Sequence, residues 1–385
     1  VGLLGGVYMF NIHDEKRDGF MLNKSFAKKG YDWWWHSFTA VNPLTGEEKP
    51  FFIEFYVINP KYGKKYPVFG QTQGGGSKKE KPSYVMIKVG CWGEDHVQLH
   101  RFYGIKKVII RPGTPFIIKA GNCFLSENET CGIVRVSNGG KSRHPEWMSD
   151  AGEIEWKLTI DKQISYNVGY GAGKAFREMQ AFDMYWHAEG MKTAYSGIIR
   201  YNGVTYNVIP ERCNGYADKN WGRDFTSPWL WLSSNNLYSR VRKQKLTNSV
   251  FDIGGGRPRV FGIALDGKLL GGLFLEGREY DYNFSKPWQV SRQRFSFSET
   301  DDKGILKVWL ENKKSLLQIN VICKKKDMLF INYVAPDASK KHDRLFNGGT
   351  GKAILKLYEK KREGLELIDV IEARNVGCEY GEYQR

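Results

Sequence analysis

A chain of 385 residues exceeds one ordinary core and points to two domains of about 150–200 residues each. Its 14% aromatic residues, 43 Gly and only 13 Pro favour β-structure with many tight turns, and no run nears the ~20 apolar residues that span a bilayer. The net charge of +16 is spread among acids with no nucleic-acid-binding motif, so nucleic acid is not expected as a partner. A solvated basic surface remains, or peripheral contact with an anionic membrane if the ligand is a lipid. Six cysteines stand far apart without a Cys-x-x-Cys pair, which argues against structural zinc and for reduced thiols in a cytoplasmic protein, with a Cys123–Cys131 disulfide as the alternative.

In chain order, Val1–Phe10 is short and lacks a basic leader, and reads as a first strand or packing segment. Trp33–Asn59 reads strand, turn, strand, with Asn42-Pro43-Leu44-Thr45-Gly46 as the turn. On the returning strand Glu54 shares a face with Phe52 and Tyr56, an odd place for a carboxylate unless it meets a partner or ligand. Gln71–Lys81 is a polar Gly-rich loop. Strands follow at Tyr84–Gly90, His96–Tyr103, Lys107–Ile110, Phe116–Ala120, Gly132–Ser137 and Glu153–Ile160. Gly169-Tyr170-Gly171-Ala172-Gly173-Lys174-Ala175 lacks the spacing and the Ser/Thr of a phosphate loop, and reads as a hinge between domains 1–175 and 176–385. Thr193–Tyr201, Asn202-Gly203 and Val204–Ile209 form a hairpin. Further strands are expected at Trp229–Leu232, Val260–Leu265, Lys268–Glu276, Arg292–Phe297, Ile305–Leu310, Leu316–Cys323, Met328–Tyr333, Gly351–Tyr358 and Leu365–Asn375. The basic runs at Lys78–Lys81, Lys324–Lys326 and Glu359–Arg362 read as turns and strand ends.

The pattern Asp-x-x-Trp-His occurs at Asp32–His36 and again at Asp183–His187. In strands, Asp32, Trp34, His36 and Phe38 share one face, as do Asp183, Tyr185, His187 and Glu189. Two superposable β-halves are the expectation, with Trp34, His36, Tyr185, His187 and Asp218 lining a common cavity. The histidines show no familiar zinc-ligand spacing, so no metal is expected.

The most distinctive stretch is Gly215-Tyr216-Ala217-Asp218-Lys219-Asn220-Trp221-Gly222, followed by Pro228-Trp229-Leu230-Trp231-Leu232-Ser233-Ser234-Asn235-Asn236. An acid two residues before Asn-Trp-Gly, then a Trp-x-Trp strand ending in Asn, resembles the tocopherol cyclase family. Asp32-Trp33-Trp34-Trp35 is similar to the Glu-Trp-Trp-Tyr element of the related carotenoid 1,2-hydratases. The resemblance implies an all-β fold of two lipocalin-like barrels or half-barrels packed together. It also implies long isoprenoid substrates and acid-initiated cyclisation or hydration without a cofactor. The strong motifs occupy about 40 residues, and this chain departs from the plant cyclases in having Asp218 where Glu is common and His36 and His187 in the repeat strands.

Protonating an alkene requires a carboxyl kept protonated near neutral pH, which burial among apolar groups provides. Asp218 is the expected donor, with Asp32, Glu54 and Glu189 as reserves. The competing reading of Asp218 is a turn cap or a pair with Lys219 or Arg223. Trp33, Trp34, His36, Tyr185, His187, Asn220, Trp221, Trp229 and Trp231 are the expected substrate contacts, with core packing the alternative for Trp221, Trp229 and Trp231 and a satisfied or solvent-facing imidazole that for the histidines. Other functions in keeping with the sequence are a lipid-carrying barrel without catalysis and a carbohydrate-binding β-protein whose Trp strips stack on sugars.

Overall fold

The computed structural model describes residues 15–58, 84–104, 107–166, 174–284, 292–331, 333 and 342–383. The expected N-terminal strand, the Gln71–Lys81 loop with its basic run and most of the 169–175 hinge lie outside them. Two twelve-stranded antiparallel sheets make up the fold, as the resemblance implied.

The first sheet holds β1 (Tyr31–Val41), β2 (Glu48–Ile58), β3 (Tyr84–Cys91), β4 (Val97–Gly104), β5 (Val108–Arg111), β6 (Ile117–Ala120), β7 (Cys123–Ser126), β8 (Glu129–Val136), β9 (Gly152–Tyr166), β10 (Met184–Tyr201), β11 (Val204–Val208) and β12 (Gly215–Gly222). Its order is β4-β3-β2-β1-β11-β10-β9-β8-β7-β6-β5, with β12 set between β1 and β10. The sheet curls until β4 packs on β8 and β9.

The second sheet holds β13 (Trp229–Ser234), β14 (Asn236–Ser239), β15 (Gln244–Leu246) and β16 (Ser249–Gly256). A two-stranded ribbon of β17 (Arg259–Val260) and β18 (Ile263–Ala264) stands apart where one strand over Val260–Leu265 was expected. The sheet resumes with β19 (Lys268–Leu275), β20 (Arg278–Asp281), β21 (Arg292–Glu299), β22 (Lys303–Glu311), β23 (Ser315–Lys324), β24 (Leu329–Ile331), β25 (His342–Lys361) and β26 (Gly364–Tyr383). Its main path is β20-β19-β16-β13-β26-β25-β23-β22-β21.

The change of sheet falls between Gly222 and Trp229, not at 175/176, because β10, β11 and β12 hydrogen-bond into the first sheet. Both copies of Asp-x-x-Trp-His therefore lie in that one sheet, flanking β12. Their register is also offset: Asp32 and Tyr185 both face Trp221, so Asp32 has no counterpart in Asp183. The expected superposition of two halves on these motifs is corrected by this pairing.

Alternation along β1 and β13 divides the apolar residues among three cores. Trp34 and Phe38 fill the first curl, Leu230 and Leu232 the second, and Trp33, Trp35, Trp186, Trp229, Trp231 and Tyr333 meet between the sheets. Two glycines admit those indoles. A Cβ on Gly377 would stand 2.3 Å from the Trp231 ring, and one on Gly254 2.7 Å from Trp186. Gly377→Ala should therefore lower stability by about 1–3 kcal/mol through overpacking, read by urea unfolding. Gly104→Ala, with nothing within 4 Å, serves as the control and should unfold with wild type.

None of the six cysteines is disulfide-bonded, Cys123 and Cys131 included. Of the basic runs, Lys325 pairs with Glu299 and Lys326 with Glu94, while Lys360 pairs with Glu311 and Lys361 with Glu359. These runs sit at a short turn and a hairpin end. Among the described residues no helix is long and apolar enough to cross a membrane.

Candidate active site

Residues opposite one another across strands share a face. Trp34, Lys219 and His187 are in register through β12, as are Trp33, Asn220 and Trp186, and Trp35 stands opposite Asp218. The expected site residues consequently separate into two groups on opposite faces of the β1–β12–β10 wall.

The inner face points into the first curl and is charged but filled. The Lys162 ammonium sits 2.7 Å from Asp18, 2.7 Å from Glu127 and 2.8 Å from Glu189, all of them buried. His187 Nε2 lies 2.9 Å from Asp18. Burial alone would push Asp18 up, but Lys162 and His187 hold it well below the usual carboxylate range. Burial pushes Glu189 well up against the attraction of Lys162, with Asp18 and Glu127 adding repulsion. One ammonium facing three carboxyls thus favours the ionised form of Asp18 while burial favours the protonated form of Glu189.

Asp32 pairs with Lys219 at 2.8 Å and accepts the Met21 N–H at 2.6 Å. Burial still raises it to about 6. His36 Nδ1 lies 2.8 Å from the Tyr195 hydroxyl, which donates to the Tyr216 carbonyl, so the imidazole is the donor. Burial and nearby Lys162 lower His36 to about 3, keeping it neutral. Phe20 stacks on Trp34, whose indole donates to the Asp18 carbonyl, and the Lys219 ammonium donates to the Gly19 carbonyl. Tyr185 and Trp221 stack with ring centroids 5.4 Å apart beside Phe26. Trp34, His36, Tyr185, His187, Trp221, Asp32 and Glu189 therefore belong to the packed interior, not to a cavity shared with Asp218. Among the described residues no group of three or more His, Cys, Asp or Glu is placed to hold a metal ion.

The outer face of the same wall meets the second sheet across a cavity of about 20 Å³. Trp33, Asp218, Asn220, Trp229 and Trp231, all expected site residues, line it. Trp35, Tyr333, Asn347 and Glu379 complete the lining and were not foreseen. The Asp218 carboxyl takes the Trp186 indole N–H at 2.7 Å and the Tyr216 hydroxyl at 3.0 Å, both on Oδ2. Oδ1 is left as the oxygen toward the cavity. Burial raises Asp218 to about 7 against those two hydrogen bonds, with Glu379 and Glu54 adding repulsion. Neither a turn cap nor a pair with Lys219 or Arg223 describes it: Lys219 points to the opposite face and holds Asp32.

Glu379 is its counterpart. Burial lifts it to about 7, opposed chiefly by the Asn347 amide, which donates at 2.6 Å. Asn347 is oriented in turn by the Trp92 indole N–H at 2.9 Å. Glu54 finds the partner its position demanded: Lys88 at 2.6 Å, which also donates to the Tyr333 hydroxyl at 2.8 Å. The Lys88 ammonium stands 4.7 Å from the Tyr333 ring centroid and 5.2 Å from that of Trp35. Two polar atoms on cavity residues, Trp35 Nε1 and Asn220 Oδ1, are buried without a hydrogen-bond partner among the described residues. Such atoms cost roughly 1–3 kcal/mol each, a cost that a ligand meeting them removes. Asn220→Leu, which deletes one, should leave stability unchanged or raised by up to about 1 kcal/mol in urea unfolding and should weaken any ligand bound in the cavity.

No protein-family model matches the chain, and no curated protein matches it. Among solved structures, one named as an AttH from Nitrosomonas europaea has 11% identity over 96% of this chain and 95% of that one, with a TM-score of 0.50. A kievitone hydratase from Nectria haematococca has 10% identity over 94% and 92%, with a TM-score of 0.44. CghA, solved with Sch210972, has 8% identity over 92% and 89%, with a TM-score of 0.41. At these identities the likeness concerns the fold. The chain is an all-β protein of two packed lipocalin-like sheets, with the buried carboxyls of Asp218 and Glu379 lining the cavity where they meet.

Proposed function

We propose that the chain is a cofactor-independent enzyme that protonates a carbon–carbon double bond of an isoprenoid or polycyclic substrate held between the sheets, leading to cyclisation, isomerisation or hydration. The observation that carries this reading is Asp218, a buried carboxyl raised to about 7 whose free oxygen faces an aromatic-walled cavity. This is the state a general acid for an alkene needs.

In the reaction, the Asp218 O–H bond breaks and its proton joins one alkene carbon. The neighbouring carbon becomes cationic. The faces of Trp33, Trp229 and Trp231 stabilise it by about 0.5–2 kcal/mol per contact. Isomerisation ends when Glu379 removes a proton from an adjacent carbon. Cyclisation or hydration ends when a substrate hydroxyl or a water oxygen bonds to the cation and gives its proton to Glu379. The two hydrogen bonds on Oδ2 support the carboxylate that Asp218 becomes.

A volume of about 20 Å³ holds about one water, so the substrate gains room by displacing aromatic wall side chains. Organic extraction of the purified chain, with mass spectrometry of the extract, identifies what it retains. The expected result is an isoprenoid or polycyclic alkene that is converted on incubation with fresh protein. Retention of such a compound without conversion would make the chain a carrier. An empty extract together with binding to a glycan array would favour carbohydrate recognition.

A further inference from the structure

We propose that Tyr216 and Asp252 form a relay that returns a proton to Asp218 from the side of the molecule away from the reaction cavity. This rests on the acid role of Asp218 above. The three groups come from both sheets: Asp218 and Tyr216 from β12, Asp252 from β16. The Tyr216 hydroxyl lies 3.0 Å from Asp218 Oδ2 and 3.0 Å from Asp252 Oδ2. The Trp231 indole N–H fixes it from a third side, 3.1 Å from that hydroxyl and 3.0 Å from Asp252 Oδ1.

A hydroxyl has one hydrogen. If both carboxyls were ionised, one of the two 3.0 Å contacts would set lone pair against lone pair with no water to separate them. A proton on Asp252 resolves this: Asp252 donates to the Tyr216 oxygen and Tyr216 donates to Asp218. Burial and the charge of Asp218 push Asp252 well above the usual carboxylate range, in keeping with that orientation.

The far side of the relay is polar. A second cavity, of about 30 Å³, is lined by Tyr216, Trp231, Ser233, Ser234 and Asn235, enough for about two waters. Ser233 is the cross-strand neighbour of Asp252, and its hydroxyl donates to the Phe251 carbonyl at 3.2 Å. That cavity shares Asn214 and Asn235 with a groove of about 330 Å³ walled in part by Gln163, Lys192 and Lys245. The proposed proton route runs from groove to this cavity and past Ser233, the neighbour of Asp252, without crossing the aromatic pocket.

Once Asp218 has given its proton to the substrate, the Tyr216 O–H bond breaks and an O–H forms on Asp218 Oδ2. The Asp252 O–H bond breaks and restores the Tyr216 hydroxyl. The Asp252 carboxylate then takes a proton from solvent through the polar cavity. A half-turn of the Asp218 carboxyl presents the new proton to the reaction cavity. The proton that Glu379 collects returns to solvent, so none is consumed in an isomerisation or cyclisation.

Infrared spectroscopy of the full chain tests this without a substrate. Protonated-carboxyl bands are assigned by their loss in Asp218→Asn and Asp252→Asn near pH 6. On transfer to deuterium oxide, the Asp218 band should take up deuterium about tenfold or more slowly in Tyr216→Phe and in Asp252→Asn than in wild type. Wild-type exchange in both variants would overturn the relay and leave the acid role standing. If Asp218→Asn removes no band, the acid role itself falls and the relay with it. Asp252→Asn keeps the side chain's shape, so it decides the matter should Tyr216→Phe lose its near-ultraviolet dichroism.

Discussion

Asp218→Asn should fold, flatten the pH dependence of stability and abolish turnover. Asparagine reproduces the carboxyl's shape, and its oxygen can still accept from Trp186 and Tyr216. The sign of the pH effect follows from the raised folded-state value, about 7 against 3.8 for an ordinary aspartate. Below the unfolded value both states hold the proton and the contribution is complete. As pH rises toward 7 the unfolded chain has released a proton that the folded chain keeps, and stability falls until the folded carboxyl also ionises. A separation of this size corresponds to about 4 kcal/mol. Urea unfolding from pH 4 to pH 8 should show wild type losing stability over that range and the variant losing markedly less. Some slope persists, because Glu379 and Asp32 are raised in the same direction. On the substrate recovered by extraction, the rate should drop by about 10²–10⁴-fold, the usual worth of a general acid. A variant with wild-type turnover would remove Asp218 from the chemistry.

Lys162→Met should be the most destabilising single change in the first sheet. It withdraws the one ammonium shared by Asp18, Glu127 and Glu189, all buried. Breaking a buried pair in this way costs about 3–5 kcal/mol, because the charge left behind is buried away from water and loses its ammonium. The loss should be largest near pH 7 and smaller toward pH 4, where the stranded carboxyls can take up protons. Chemical unfolding of the variant at both pH values measures this. Lys162→Met combined with Glu127→Gln should recover part of the loss. A variant as stable as wild type would mean that the charge cluster does not organise the first curl.

The hairpins were legible because their turns carry specific chemistry. Asn42–Gly46 and Asn202-Gly203 place β1–β2 and β10–β11 within two residues of their observed ends. The strand of Asp218 was not recognised as one. Tyr216-Ala-Asp-Lys-Asn-Trp reads as polar, yet β12 is buried on both faces, with Lys219 spent on Asp32 inside and Asp218 held between the sheets outside. The strand of Asp252 was hidden by Gly254-Gly255-Gly256, whose lack of side chains makes room for Trp186 at Gly254. Glu379 lay beyond the expected strand end at Asn375, because β26 runs on to Tyr383. The repeated Asp-x-x-Trp-His drew attention to the wrong face. Asp32, His36 and His187 point into a filled interior and Asp183 pairs with Arg223 and Arg259, while the tryptophans of the first copy, Trp33 and Trp35, reach the cavity. Burial alone cannot tell these faces apart, since both are buried along β12. Only the pairing of β12 with β1 and β10 does so.

The most direct test of the account is the ionisation of Asp218 itself. In a chain labelled with carbon-13 at the aspartate carboxyls, the resonance missing from Asp218→Asn can be followed against pH. The structure predicts a midpoint near 7, set by burial between the sheets. A midpoint close to the ordinary aspartate value of 3.8 would leave a carboxylate at neutral pH and no acid in the cavity, and would contradict the account.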